Sequence, residues 1–160
     1  MPMSKQAPRY ARKLLVLAAV LAAGAAQAQA AYSGFLCCNM RTDGAWISDI
    51  NYAENGKRVI PAGTQVTITG YGRYRVNTTM AGQRQDLGND YSRDLDLENF
   101  AKRYVVTADP KAALAKASPR IRKAVETQRL VKGMTREQVI MSVGWPVTSE
   151  NPHIDNKIWR

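Results

Sequence analysis

The stretch Gly133-Met134-Thr135-Arg136-Glu137-Gln138-Val139-Ile140-Met141-Ser142-Val143-Gly144-Trp145-Pro146 reads as one short helix with both ends specified. Thr135 is placed as the N-cap. Gln138, three residues on, closes a capping box in which each side chain accepts from the other residue's backbone N–H. Met134 and Val139 stand at the two positions of a hydrophobic staple. Gly144 supplies the positive-φ position after the last turn, and Pro146 forbids continuation. Val139, Ile140 and Val143 make the apolar face, and Met141 departs from it toward solvent. A helix over residues 136–143 spans about 12 Å and is too short to stand alone in water. A sheet or another helix must therefore cover its apolar face.

Upstream, helical texture begins near Leu95. Asp109-Pro110 and Ser118-Pro119 each put a capping side chain before a proline at the first helical position, which predicts short helices starting at 110 and 119. In the second, Ile121 and Val125 fall on one side, while Lys116, Arg120 and Lys123 follow a line around the other. That basic stripe reads as a solvated face or as a contact for an anionic lipid surface.

From Phe35 to about Arg93 the chain is rich in β-branched and aromatic residues, broken by turn signals such as Thr42-Asp43-Gly44, Pro61-Ala62-Gly63 and Gly70-Tyr71-Gly72. Short strands at this spacing indicate a small antiparallel sheet or barrel. Val66 and Ile68 alternate with polar neighbours over residues 65–69, and Tyr74 and Val76 continue the pattern after a turn. Phe35 to Asn39 and Ala45 to Ile50 are expected to form the first hairpin. Val59-Ile60-Pro61-Ala62-Gly63-Thr64 resembles the turn before a strand in bacterial SH3-like barrels.

The N-terminus has a different character. Lys5, Arg9, Arg12 and Lys13 precede an uncharged apolar run from Leu14 to Ala26. With Ala28-Gln29-Ala30 after it, this is the order of a secretory signal peptide cleaved near Ala30. The run is short of the ~20 residues that span a bilayer. Without the leader, 19 Lys and Arg face 13 Asp and Glu, and the surplus lies beyond residue 100. Outside the cytoplasm nucleic acid is not the partner of such charge; lipid headgroups, cell-wall polymers and acidic protein surfaces are. The expected organisation is a leader over 1–30, an antiparallel β domain over 31–95, a linker with a short helix over 96–118, and a helical segment over 119–160 that ends at the start of a strand. The fold class is α+β.

Groups that carry chemistry are sparse. Adjacent Cys37 and Cys38 allow a vicinal disulfide, pairing with a partner protein, or two thiols on opposite faces of a strand; strand alternation favours the last. His153 lies in a loop without ligands at metal spacing. Asp90, Asp94, Asp96 and Glu98 cluster without the spacing of a calcium loop. No phosphate loop, nucleophile elbow or zinc signature is present, so neither enzymatic turnover nor a cofactor or metal is expected.

Gly133, Met134, Thr135, Gln138, Val139, Gly144 and Pro146 together resemble the signature of the BamE/SmpA/OmlA family, small proteins on the periplasmic side of the bacterial outer membrane that support the machine inserting β-barrel proteins. The resemblance covers about residues 120–160. It implies two helices packed on a three-stranded antiparallel sheet, with Lys157-Ile158-Trp159 opening the first strand. Members are usually acylated at an N-terminal Cys, which is missing here. The sequence also ends at Arg160, where a strand is only beginning: either it is truncated, or the N-terminal strands or another protein complete the sheet.

The function expected is that of a non-enzymatic periplasmic binding or scaffolding protein associated with the outer membrane, in contact with envelope proteins such as outer-membrane assembly components, or with anionic lipid. Trp145 and Trp159, with Lys116, Arg120 and Lys123, are the candidate contacts. Two alternatives stay open. One is a peptidoglycan-binding SH3-like module using Tyr71, Arg73 and Tyr74; the other is an inhibitor of a periplasmic enzyme.

Overall fold

In the computed structural model, which describes residues 32–160, alternation builds the strands. In β5 (Gln65–Tyr71) Val66 and Ile68 are buried between exposed polar neighbours, and in β6 (Arg75–Met80) Val76, Thr78 and Met80 point inward. Both strands read directly from the period of two. Six further strands are β1 (Ser33–Leu36), β2 (Met40–Asp43), β3 (Trp46–Ser48), β4 (Arg58–Ile60), β7 (Gln83–Gly88) and β8 (Val105–Val106). All eight form one curled sheet in the order β4-β2-β3-β7-β6-β5-β1-β8. With α1 (Leu97–Tyr104), α2 (Pro110–Leu114), α3 (Pro119–Glu126) and α4 (Arg136–Val143), the class is α+β.

The first hairpin differs from expectation. β3 pairs with β2 through the turn at Gly44, whereas β1 lies between β5 and β8. The extended chain is interrupted between β1 and β2, because the backbone N–H groups of Cys37 and Asn39 leave the sheet. They donate to the carbonyls of Tyr104 and Met141 at 2.8 and 2.9 Å. The sheet is also not purely antiparallel, since β3 runs parallel to β7, joining the β2–β3 hairpin to the β5–β6–β7 meander.

The helices at 110 and 119 are capped as expected, by the Asp109 side chain accepting from the Lys111 N–H and Ser118 from the Ile121 N–H. α1, N-capped by Asp96, was not separately expected; it buries Phe100, Ala101 and Tyr104 on the sheet. Around α4 the capping box is complete, and Gly144 adopts φ +94°. Met141, expected toward solvent, is instead buried with Ala62 and Val125. An eight-residue helix held between α3 and the sheet is covered on more than one side, so its inward residues exceed the apolar stripe. Lys157-Ile158-Trp159 is not a strand. There the Asn151 side chain accepts from the Arg160 N–H, and the Trp159 indole donates to the Ile154 carbonyl, folding the segment back on itself. The leader over 1–30 lies outside the described residues. No helix among the described residues is long and apolar enough to cross a membrane.

Candidate functional site

Two asparagines fasten α4 to the sheet. The Asn39 side chain donates to the Val125 and Ser142 carbonyls and accepts from the Ala62 N–H. Asn51, itself at φ +53°, donates to the carbonyls of Asn39 and Val143 and accepts from the Arg41 N–H. The bonds to Ser142 and Val143 satisfy carbonyls in the last turn of α4 that have no partner within the helix. They also fix the direction in which the chain leaves α4 through Gly144, Trp145 and Pro146.

That exit forms one wall of a cleft of about 320 Å³. Trp145 and Trp159 both line it, with Val139 and Val143 of α4 and with Tyr52 and Leu130 at the rim. Tyr52 and Leu130 are 53% and 58% exposed, and Ile158 beside Trp159 is 80% exposed. Both indole N–H groups are already committed, Trp145 to the Arg103 carbonyl at 2.9 Å and Trp159 to the Ile154 carbonyl at 2.8 Å. The rings therefore offer faces and edges to a ligand, not hydrogen bonds. A guanidinium lies over each ring: Arg103 is 5.1 Å from the centroid of Trp145 and Arg136 is 4.8 Å from that of Trp159. Arg136 also donates to the carbonyls of Ile154, Asp155 and Asn156, which pins Trp159 against the start of α4.

No family model matches this chain, and no curated protein or solved structure matches it either.

Of the residues singled out in the sequence, the structure thus brings Trp145, Trp159, Val139, Val143, Gly144 and Pro146 to one place. Lys116, Arg120 and Lys123 are exposed on the turn after α2 and on α3, and none of them lines the cleft. Gly133 turns the chain into the helix at φ +95°, Thr135 and Gln138 close the capping box, and Met134 packs against the small cluster around Val125. Sequence reasoning missed Tyr52 and Leu130. Each lies in a short loop, without helix or strand periodicity to mark it.

Elsewhere, Cys37 and Cys38 are bonded to each other as a vicinal disulfide, in place of the two separate thiols that strand alternation favoured. The pair is buried where β1 leaves the sheet. The four acidic residues between the halves have separate partners: Asp90 accepts from Arg75 and Ser48, Asp94 from Thr148, Asp96 caps α1, and Glu98 pairs with Lys102. Among the described residues no three His, Cys, Asp or Glu side chains are grouped to hold a metal. Tyr71 has its hydroxyl enclosed without a partner, and burial, then the charge of Glu98, raises its pKa. Tyr74 carries Arg73 and Arg93 over its ring, at 5.3 and 4.4 Å.

Asp49, another residue the sequence did not single out, is buried and accepts from the backbone N–H groups of Asp90 and Tyr91. Burial raises its carboxyl above the ordinary range, against the opposing pull of Ser92 and of those two N–H groups.

Proposed function

We propose that this chain is a non-enzymatic binding and scaffolding module, exported to the periplasm, whose contact surface is the cleft between Trp145 and Trp159. The observation that carries this reading is the convergence of two tryptophans, a half-exposed tyrosine and a half-exposed leucine on one apolar cleft next to positive charge. Tryptophan, tyrosine and arginine are the residues that most often dominate the energy of protein interfaces. The resemblance of Gly133 to Pro146 to the BamE/SmpA/OmlA signature supports a partner at the outer membrane, among the proteins that assemble β-barrels there. No turnover is part of this reading.

The test is affinity capture of the mature protein from cross-linked bacterial envelopes, beside a Leu130→Glu variant that alters the cleft rim at an exposed position. Recovery of outer-membrane assembly components by the unaltered protein, reduced several-fold by Leu130→Glu, is the expected result. Equal recovery by both proteins would remove the cleft from the reading. Recovery of sacculus fragments alone would replace it with cell-wall binding through the β-sheet.

A further inference from the structure

The charges around the cleft point to the chemistry of its occupant. Arg136 and Arg103 each lie against a tryptophan ring, and Arg160 lines the cleft itself. None of the three forms an ion pair with a carboxylate among the described residues, where the salt bridges are Lys57–Glu54, Arg75–Asp90, Arg84–Asp86 and Lys102–Glu98. Arg129 precedes Leu130 and Lys157 precedes Ile158 in sequence, and both are exposed. Glu150 is the one carboxylate among the lining residues. Counting the charged lining residues and the guanidinium groups against the two lining tryptophans, the cleft thus has three basic groups, Arg103, Arg136 and Arg160, to one carboxylate.

Size narrows the choice further. A cavity of roughly 150 Å³ holds a benzene ring, so about 320 Å³ takes one or two bulky side chains. Because both indole N–H groups are engaged within the protein, recognition inside the cleft rests on apolar and stacking contact.

We infer that the occupant is an acidic peptide segment of a partner protein, presenting one or two aromatic or large aliphatic side chains to Trp145 and Trp159 and its carboxylates to Arg160 and the neighbouring basic residues. This rests on the cleft being the contact surface, and adds the class of ligand. The apolar anchors give affinity, while the basic rim raises the association rate and rejects basic sequences.

The mature protein is titrated by calorimetry and tryptophan fluorescence with a blocked hexapeptide that has two central phenylalanines flanked by aspartates. Two control peptides replace the aspartates by lysines or the phenylalanines by serines. The acidic aromatic peptide is expected to bind at least tenfold more tightly than either control, with affinity falling as salt rises. Arg160→Glu and Leu130→Glu, both at exposed positions that leave the core intact, are each expected to weaken it about tenfold, and Lys116→Glu to leave it unchanged.

Equal binding of the lysine peptide, or no binding of any of the three, overturns the inference. Binding to vesicles of phosphatidylglycerol and phosphatidylcholine that is abolished by Leu130→Glu, in the absence of peptide binding, would overturn it in favour of a lipid ligand. If the envelope capture still depends on Leu130 while the acidic peptide fails, the ligand class is wrong and the contact surface stands. If the capture shows no such dependence, the contact surface itself falls.

Discussion

The side-chain amide of Asn51 donates to the carbonyl of Val143 at 2.7 Å, closing the last turn of α4 from a loop 92 positions earlier in the chain. The same nitrogen donates to the Asn39 carbonyl at 3.0 Å, so one amide joins the sheet to the helix that forms a wall of the cleft. Asn51→Ala leaves both carbonyls without this donor and puts alanine at φ +53°. A loss of about 2–3 kcal/mol is expected in urea unfolding. Asn51→Gly removes the same bonds but relieves the backbone, and should be about 1 kcal/mol less damaging than alanine.

Gly144 adopts φ +94° and ψ 175°, a region essentially reserved for glycine. A Cβ there would also lie 3.0 Å from the Asn51 side-chain nitrogen and 3.5 Å from the Met40 sulfur. Gly144→Val is expected to destabilise by about 3 kcal/mol or more, by backbone strain and crowding together. Unchanged thermal melting of this variant would show that the turn is not constrained as described.

Close approach rather than conformation constrains Gly34 in β1. A Cβ at this position would run into the Val106 carbonyl oxygen, across the pairing of β1 with β8. Gly34→Ala should therefore loosen β8 and the end of α1 more than the rest of the sheet. Hydrogen exchange reads this directly: the Cys37 N–H, which donates to the Tyr104 carbonyl, should lose protection before the amides of the β6–β7 ladder.

The capping box of α4 is open to a double-mutant cycle. Thr135→Ala should cost about 1 kcal/mol. Gln138→Ala removes the reciprocal bond to the Thr135 N–H, 3.0 Å in length. The two losses are expected to add to less than their sum, as for other groups in direct contact. Strict additivity in chemical denaturation would argue against reciprocal capping.

Asp49 gives stability a defined dependence on pH. Its folded-state pKa is raised, chiefly by burial, above the ordinary 3.8, so the folded protein holds this proton more tightly than the unfolded chain. Its contribution is fully present below the unfolded value and is lost as pH rises through the folded one. Asp49→Asn removes the titration. The stability of the native protein minus that of the variant should therefore fall as pH is raised from about 3.8. A difference that rises over this interval would reverse the assignment.

Local chemistry made much of this protein legible in advance. A period of two marks β5 and β6, because alternate side chains of a strand face opposite sides whatever the rest of the chain does. Asp109-Pro110, Ser118-Pro119 and the Thr135/Gln138 pair mark helix starts, because the orphan N–H groups of a first turn are satisfied within a few residues of the cap. The strand expected at Lys157 to Trp159 rested on a resemblance, and no local signal supported it.

What the sequence determined by itself is the α+β class, the helix caps and the strands whose pattern is contained in a short window. Only tertiary structure decided that β3 would run parallel to β7, that Met141 would be covered, and that Tyr52, Leu130, Trp145 and Trp159 would share a cleft. The physical reason is range. Caps and alternation are settled by neighbours within about one turn or two residues, whereas the cleft depends on Asn39 and Asn51 reaching carbonyls about 90 positions away or more. Apolar residues in loops carry no period, and their meaning comes from what the fold places beside them.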